Sequence, residues 1–124
     1  MTLCFVRLEL ARSKEFPHGD SAHGYEFTAP LDESSHLDAS AWRSSRQRCT
    51  VRRFSRDAAD ENGMLVHVGH GWHFDYVAKT RDDDEALFKL DRHVIKQGEY
   101  VSITEHDGVL RTFKVINVRR VADD

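Results

Sequence analysis

Alternation of apolar and polar side chains dominates this chain. Cys4, Val6, Leu8 and Leu10 alternate with Phe5, Arg7, Glu9 and Ala11, the period-two pattern of a strand with one apolar face. Pro17, Gly19, Asp20 and Ser21 interrupt it. A second strand is predicted over 24–28, with Tyr25 and Phe27 on one side and Pro30 as its end. The segment 31–47, LDESSHLDASAWRSSRQ, holds the one good helix candidate, a short helix over 38–45 with Asp38 as its N-cap.

From Arg48 onward the chain reads as a meander. CTVRRF is a strand, and SRDAADENG is a polar loop ending in the Asn62-Gly63 turn signal. Strands then follow as MLVHV, as WHFDYV, over 86–94, over 100–105 and over 109–118. About eight short strands in 124 residues predict an all-β fold, a small antiparallel barrel or barrel-like sandwich with one short helix. A barrel is favoured because closure removes exposed strand edges. The length suits a single domain over 1–124.

The stretch HVGHGWHFDY, residues 67–76, raises a question of register. A three-residue loop at Gly69-His70-Gly71, with Gly71 in the left-handed conformation, pairs Val68 with Trp72, His67 with His73 and Val66 with Phe74. It then pairs Leu65 with Asp75 and Met64 with Tyr76. One face becomes wholly apolar, and the other carries His67, His73, Leu65 and Asp75. Because a one-residue slip flips every side chain, this pattern selects that register and leaves His70 at the tip. The last hairpin uses the same device: His106-Asp107-Gly108 forms the loop and Val101 pairs with Phe113. Ile103, Val109 and Val115 join that face, and Arg111 is a misfit placed at a barrel rim.

The predicted register defines a candidate metal site. His67 and His73 would face each other with β-carbons about 5 Å apart, and Asp75 would lie on the same face at roughly 7 Å. Two imidazoles and a carboxylate suit zinc or another divalent cation. Against this stands a plain polar solvent face, and no HExxH or CxxC spacing supports the metal.

Charge adds a second candidate. The net charge is -3, yet RSSRQRCTVRRFSR carries six arginines, 43, 46, 48, 52, 53 and 56, and no acid. DDDE at 82–85 reads as a solvated acidic turn. Adjacent strand residues point to opposite faces, so either Arg52 or Arg53 aims at the barrel interior or rim. A guanidinium there needs a carboxylate or a bound anion, and Glu26, Glu99 and Asp75 are the candidate partners. Phosphates could meet the whole run, but the acidic net charge and the lack of RNP, KH or helix-turn-helix patterns argue against nucleic acid. Nucleophile motifs are missing: there is no GxSxG, P-loop or GxGxxG. Cys49 beside Arg48 would need a lowered pKa to serve as a nucleophile, and strand burial opposes that.

Cys4 and Cys49 are too few for a disulfide framework and read as reduced core thiols of a cytoplasmic protein. The N-terminus lacks a signal-peptide h-region. No apolar run approaches the roughly 20 residues that span a bilayer, so no membrane partner is expected. CTVRRF, GMLVHVGHGWHFDY and GEYVSITEHDG followed by FKV together resemble a family of small uncharacterised bacterial proteins, over most of the chain. The resemblance implies a compact bacterial cytoplasmic β protein and brings no activity, cofactor or catalytic residue. Three function classes follow. The first is a non-enzymatic module that takes a small anionic ligand near Arg52, Arg53 and Trp72, or that associates with itself. The second is a metal-dependent enzyme built on His67, His73 and Asp75. The third is nucleic-acid binding through 43–56.

Overall fold

The computed structural model describes residues 2–69, 71–76, 94–105 and 107–121, together with the backbone of Glu85–Phe88. Among these, eight strands follow in sequence order around one sheet: β1 (Thr2–Leu10), β2 (Asp20–Leu31), β3 (Thr50–Phe54), β4 (Glu61–Val68), β5 (Gly71–Tyr76), β6 (Glu85–Phe88), β7 (Tyr100–Thr104) and β8 (Leu110–Arg120). Every neighbouring pair is antiparallel, and β1 pairs with β8 from Cys4↔Arg120 to Leu10↔Phe113, which closes the barrel. The all-β expectation holds. Predicted features at His70, His106, residues 82–84 of the acidic turn, Val77 and residues 89–93 lie outside the described residues, while Glu85, the last residue of that turn, begins β6.

The inward-facing series of each strand fills the interior. Val6, Leu8, Tyr25, Phe27, Leu65, Phe74, Val101, Ile103, Phe113 and Val115 are all buried. Tyr25 stacks against Phe74 and Phe113 at 5.2 and 5.1 Å, and Phe27 against Phe74 at 5.4 Å. Aromatic side chains meeting across the axis make this a packed core of the kind small eight-stranded barrels form.

α1 (Ala39–Ser45) and a 3₁₀ turn (Arg46–Arg48) lie between β2 and β3. Asp38 caps α1 as expected, its carboxylate accepting from the Ala41 amide at 3.0 Å. The buried Trp42 anchors the helix to the barrel end, its indole Nε1 donating to the Leu65 carbonyl at 2.9 Å. No helix among the described residues is long and apolar enough to cross a membrane.

The Asn62-Gly63 turn signal falls instead within β4, where the two residues pair with Arg52 and Val51. Two larger expectations also need correction. β2 does not stop at Pro30 but runs through it to Leu31. Its ladder with β3 ends at Phe27↔Val51, while its ladder with β1 continues to Thr2↔Leu31. Past Phe27 the side away from β1 has no strand ladder, only the Leu31↔Leu37 bridge and the Asp38 amide donating to the Pro30 carbonyl at 3.0 Å, so a residue without an N–H is tolerated there.

The second correction is the β4–β5 register. The pairs are Val68↔Gly71, His67↔Trp72, Val66↔His73, Leu65↔Phe74, Met64↔Asp75 and Gly63↔Tyr76. With Val68 paired to Gly71 the connection is one residue shorter than expected, and the positive φ of 61° sits at Gly69, not at Gly71. Leu65, Trp72, Phe74 and Tyr76 are buried, whereas Val68 is exposed and Met64 and Val66 only half-buried. Counting apolar side chains misled because His67 shares the inward series: it stands between Trp42 and Trp72, at 6.0 and 4.5 Å between ring centroids.

The β7–β8 hairpin keeps its predicted register. Val101 pairs with Phe113 and Ile103 with Arg111, while Gly108 takes φ 80°.

Candidate functional site

The corrected β4–β5 register dissolves the proposed metal ligand set. His67 and His73 are now one slot out of register and point to opposite faces of the sheet. Asp75 is exposed on the outer face with His73, while His67 is half-buried against two tryptophans. Among the described residues no three His, Cys, Asp or Glu side chains come together so as to hold a metal ion.

Trp72 is 2% exposed and belongs to the core, so it offers no ligand a surface. Arg52 and Arg53 do point to opposite faces, and each meets carboxylates. Arg52 lies outside, bonded to Glu26 and, at 2.6 Å, to Asp60. Arg7 reaches the other oxygen of Glu26 at 2.9 Å, so Arg7, Glu26 and Arg52 form a row across three strands. Burial raises the Glu26 pKa, but the hydrogen bonds from Arg52 and Arg7 outweigh it and hold the carboxyl below the usual range.

Arg53 turns inward and leads to a group that the sequence did not single out. Its Nη2 donates to Glu105 at 3.0 Å. The Glu105 side chain is 1% exposed and receives three more residues: His23 at 2.9 and 3.0 Å, the Tyr25 hydroxyl at 2.8 Å, and Arg111 Nη1 at 3.0 Å. Because the carboxylate can only accept, Nε2 of His23 carries the proton here. Arg111 reaches on to Asp107 at 2.9 and 3.0 Å and to Glu15 at 2.9 Å, which places it at the rim as its misfit position suggested.

Desolvation opposes the charge on Glu105. The hydrogen bonds from His23 and Tyr25 and the charges of His23 and Arg53 prevail, and the pKa falls to about 2. Such a carboxylate is a weak base near neutrality. Glu105 is therefore a counter-ion that closes one end of the barrel, and the cluster is neutralised from within.

A signal for this cluster was present. His23-Tyr25-Phe27, Val51-Arg53 and Val101-Ile103-Glu105 are inward alternations, each with a polar member at the same barrel end. Glu99, named as a partner for a buried arginine, instead uses its backbone to hold Val115 and Lys96. Cys4 and Cys49 are buried and unbridged, and burial, the largest influence on each, pushes both thiols up.

One concave surface lies outside the barrel, at the β1–β2 connection. A cleft of about 690 Å³ runs between the β1–β2 connection and the outer face of β7–β8, and Arg12, His18, Asp20, Arg56, Tyr100 and Lys114 are among its walls. Tyr100 and Lys114 are direct cross-strand neighbours, and Glu9 stands on the far side of Lys114. Both acids of the cleft are engaged: Glu9 by Arg7 at 2.8 Å and Asp20 by Arg56 at 2.9 Å. The hydrogen bond from Arg56, the largest influence, lowers the Asp20 pKa. Arg12 and Lys114 have no ion-pair partner among the described residues.

The arginine run does not form one stripe. Arg52, Arg53 and Arg56 are held by acids, whereas Arg43, Arg46 and Arg48 are exposed on α1 and the 3₁₀ turn. No family model, no curated protein and no solved structure matches the chain.

Proposed function

We propose that this protein is a non-enzymatic binding module that takes a small anionic ligand in the cleft between the β1–β2 connection and β7–β8. One observation carries the reading: Arg12 and Lys114 are exposed cations without an ion-pair partner among the described residues, and they share the cleft with Tyr100, which is 51% exposed. A filled interior leaves a ligand the outer surface. Exposed tyrosine beside cations is a chemistry that suits carboxylates and phosphates, the ring supplying apolar contact. The unbridged thiols support a reducing, cytoplasmic setting, and the family resemblance supports a bacterial one.

Isothermal titration with citrate, inorganic phosphate and adenosine monophosphate tests this. At least one probe is expected to bind. Arg12→Ala and Lys114→Ala should each weaken it about tenfold or more, since hydrogen bonds to charged groups are worth about 1.5–3 kcal/mol. Tyr100→Ala should discriminate against the ring-bearing probe. If none of the three binds at millimolar concentration, or both charge variants bind as the wild type does, the reading fails.

Self-association is a second reading, favoured by Tyr100, Val109 and Leu110, exposed on the single β7–β8 hairpin. Sedimentation over a hundredfold concentration range decides it, and a constant monomer mass removes it.

A further inference from the structure

The end of α1 offers a second, separate site. Arg43, Ser44, Ser45, Arg46, Gln47 and Arg48 line a hollow of about 430 Å³ that has no acid in its wall. Arg43 and Arg46 are three apart, which on a helical surface sets their β-carbons about 5–6 Å from each other. Neither has an ion-pair partner among the described residues, unlike Arg52, Arg53 and Arg56 further along the same run.

Arg46 is also held in place. Its guanidinium lies over the Trp42 ring at 4.8 Å. That indole is in turn fixed by its hydrogen bond to Leu65 and by edge contact with Trp72 at 6.0 Å. Stacking leaves the edge donors of a guanidinium available while removing much of its rotational freedom. The carbonyl end of α1 carries a partial negative charge, so any anion here depends on the guanidinium groups and not on the backbone.

We propose that Arg43 and Arg46, with Arg48 adding charge at the rim and Ser44 and Ser45 supplying hydroxyls, bind a phosphate oxyanion. A tetrahedral oxyanion with several acceptor atoms can take planar donors from two arginines that line one hollow, and Arg is suited to bidentate contact with it. The phosphate could belong to a small phosphorylated molecule or to a single-stranded nucleic-acid backbone. Both present the same oxygens. The site is independent of the cleft bounded by Tyr100 and Lys114.

The test follows the side-chain Nε–Hε NMR signals of Arg43 and Arg46 in the whole chain. The probes are inorganic pyrophosphate and an eight-nucleotide oligothymidylate, each at matched ionic strength. Saturable shifts at both arginines are expected with at least one probe. Arg46→Lys should weaken binding about tenfold, because lysine can neither stack in this way nor present a planar fork. Lys96→Ala, a charge removed elsewhere, should leave binding unchanged.

Tighter binding of the oligonucleotide, with a log-log salt slope near -2 for three phosphates, would assign the backbone as the source. Equal or tighter binding of pyrophosphate would assign a small phosphorylated molecule. No saturable shift with either probe would overturn the proposal, as would an equal shift from sodium chloride or unaltered binding by Arg46→Lys. Urea melts showing Arg46→Lys as stable as the wild type would exclude a folding defect.

Discussion

Glu105→Gln is expected to cost the fold about 3–5 kcal/mol, the range for breaking a buried ion pair by removing one partner. Glutamine keeps the shape of the side chain, so no cavity forms and the loss is electrostatic. Its amide nitrogen would face donors from His23, Tyr25, Arg53 or Arg111, all of which now point at carboxylate oxygens. The pH dependence follows from the same cluster. Glu105 titrates near 2 in the fold against an ordinary value of 4.5, so below about pH 5 the unfolded chain binds the proton more readily. Its contribution, about 3 kcal/mol from a shift of that size, is complete above the unfolded value and is lost as pH falls through about 2. Asp20, Glu26 and Asp107 are also held below their ordinary values and add to the acid slope of the wild type. The difference between wild type and Glu105→Gln isolates the buried group. Urea melts from pH 2 to 7 should show that difference shrinking towards acid. A constant difference, or a cost below about 1 kcal/mol at pH 7, would show that the cluster does not hold the barrel end.

Strand alternation was legible because one face of each strand is packed and the other is not. Val6 and Leu8, Tyr25 and Phe27, and Val101 and Ile103 could be placed inward from period two alone, and the structure buries all six. Asp38 was legible as a cap because its acceptor role is local. The β7–β8 register was legible because Gly108 fixes the loop. The charged end of the barrel was not. Arg53 and Arg111 were visible as misfits, but their partner lies at the end of another strand, 52 and 6 residues away in sequence. Closure of the barrel brings His23, Arg53, Glu105 and Arg111 together; alternation marks His23, Arg53 and Glu105 as inward polar members of their strands, but no pattern within one strand says that they meet. The metal reading failed for a related reason. It treated every valine as a core residue and every histidine as polar surface, while the barrel exposes Val68 and tucks His67 between indoles.

The β4–β5 turn supplies the last and most direct test of the fold. Trp72→Ala is expected to cost about 3–5 kcal/mol as a core truncation, since the side chain is buried and packs on Trp42 and His67. That is a large share of the 5–15 kcal/mol typical of a domain. The two glycines of the turn then separate the registers. Gly69 has φ 61°, where a side chain is strained by about 1–2 kcal/mol and a β-branched one resists most, although the space around it is open. Gly69→Val should therefore destabilise by about 2 kcal/mol through the backbone alone. Gly71 begins β5, and a β-carbon there would meet only the His73 Nε2 at 3.7 Å and the Val68 carbonyl at 3.8 Å, ordinary contacts. Valine suits a strand better than glycine does, so Gly71→Val should be neutral within about 0.5 kcal/mol or slightly stabilising. A three-residue loop with Gly71 in the left-handed conformation predicts the reverse order. Urea melts of Trp72→Ala, Gly69→Val and Gly71→Val, read side by side, decide it. A larger loss at Gly71 than at Gly69 would restore the other register, and with it His67 beside His73.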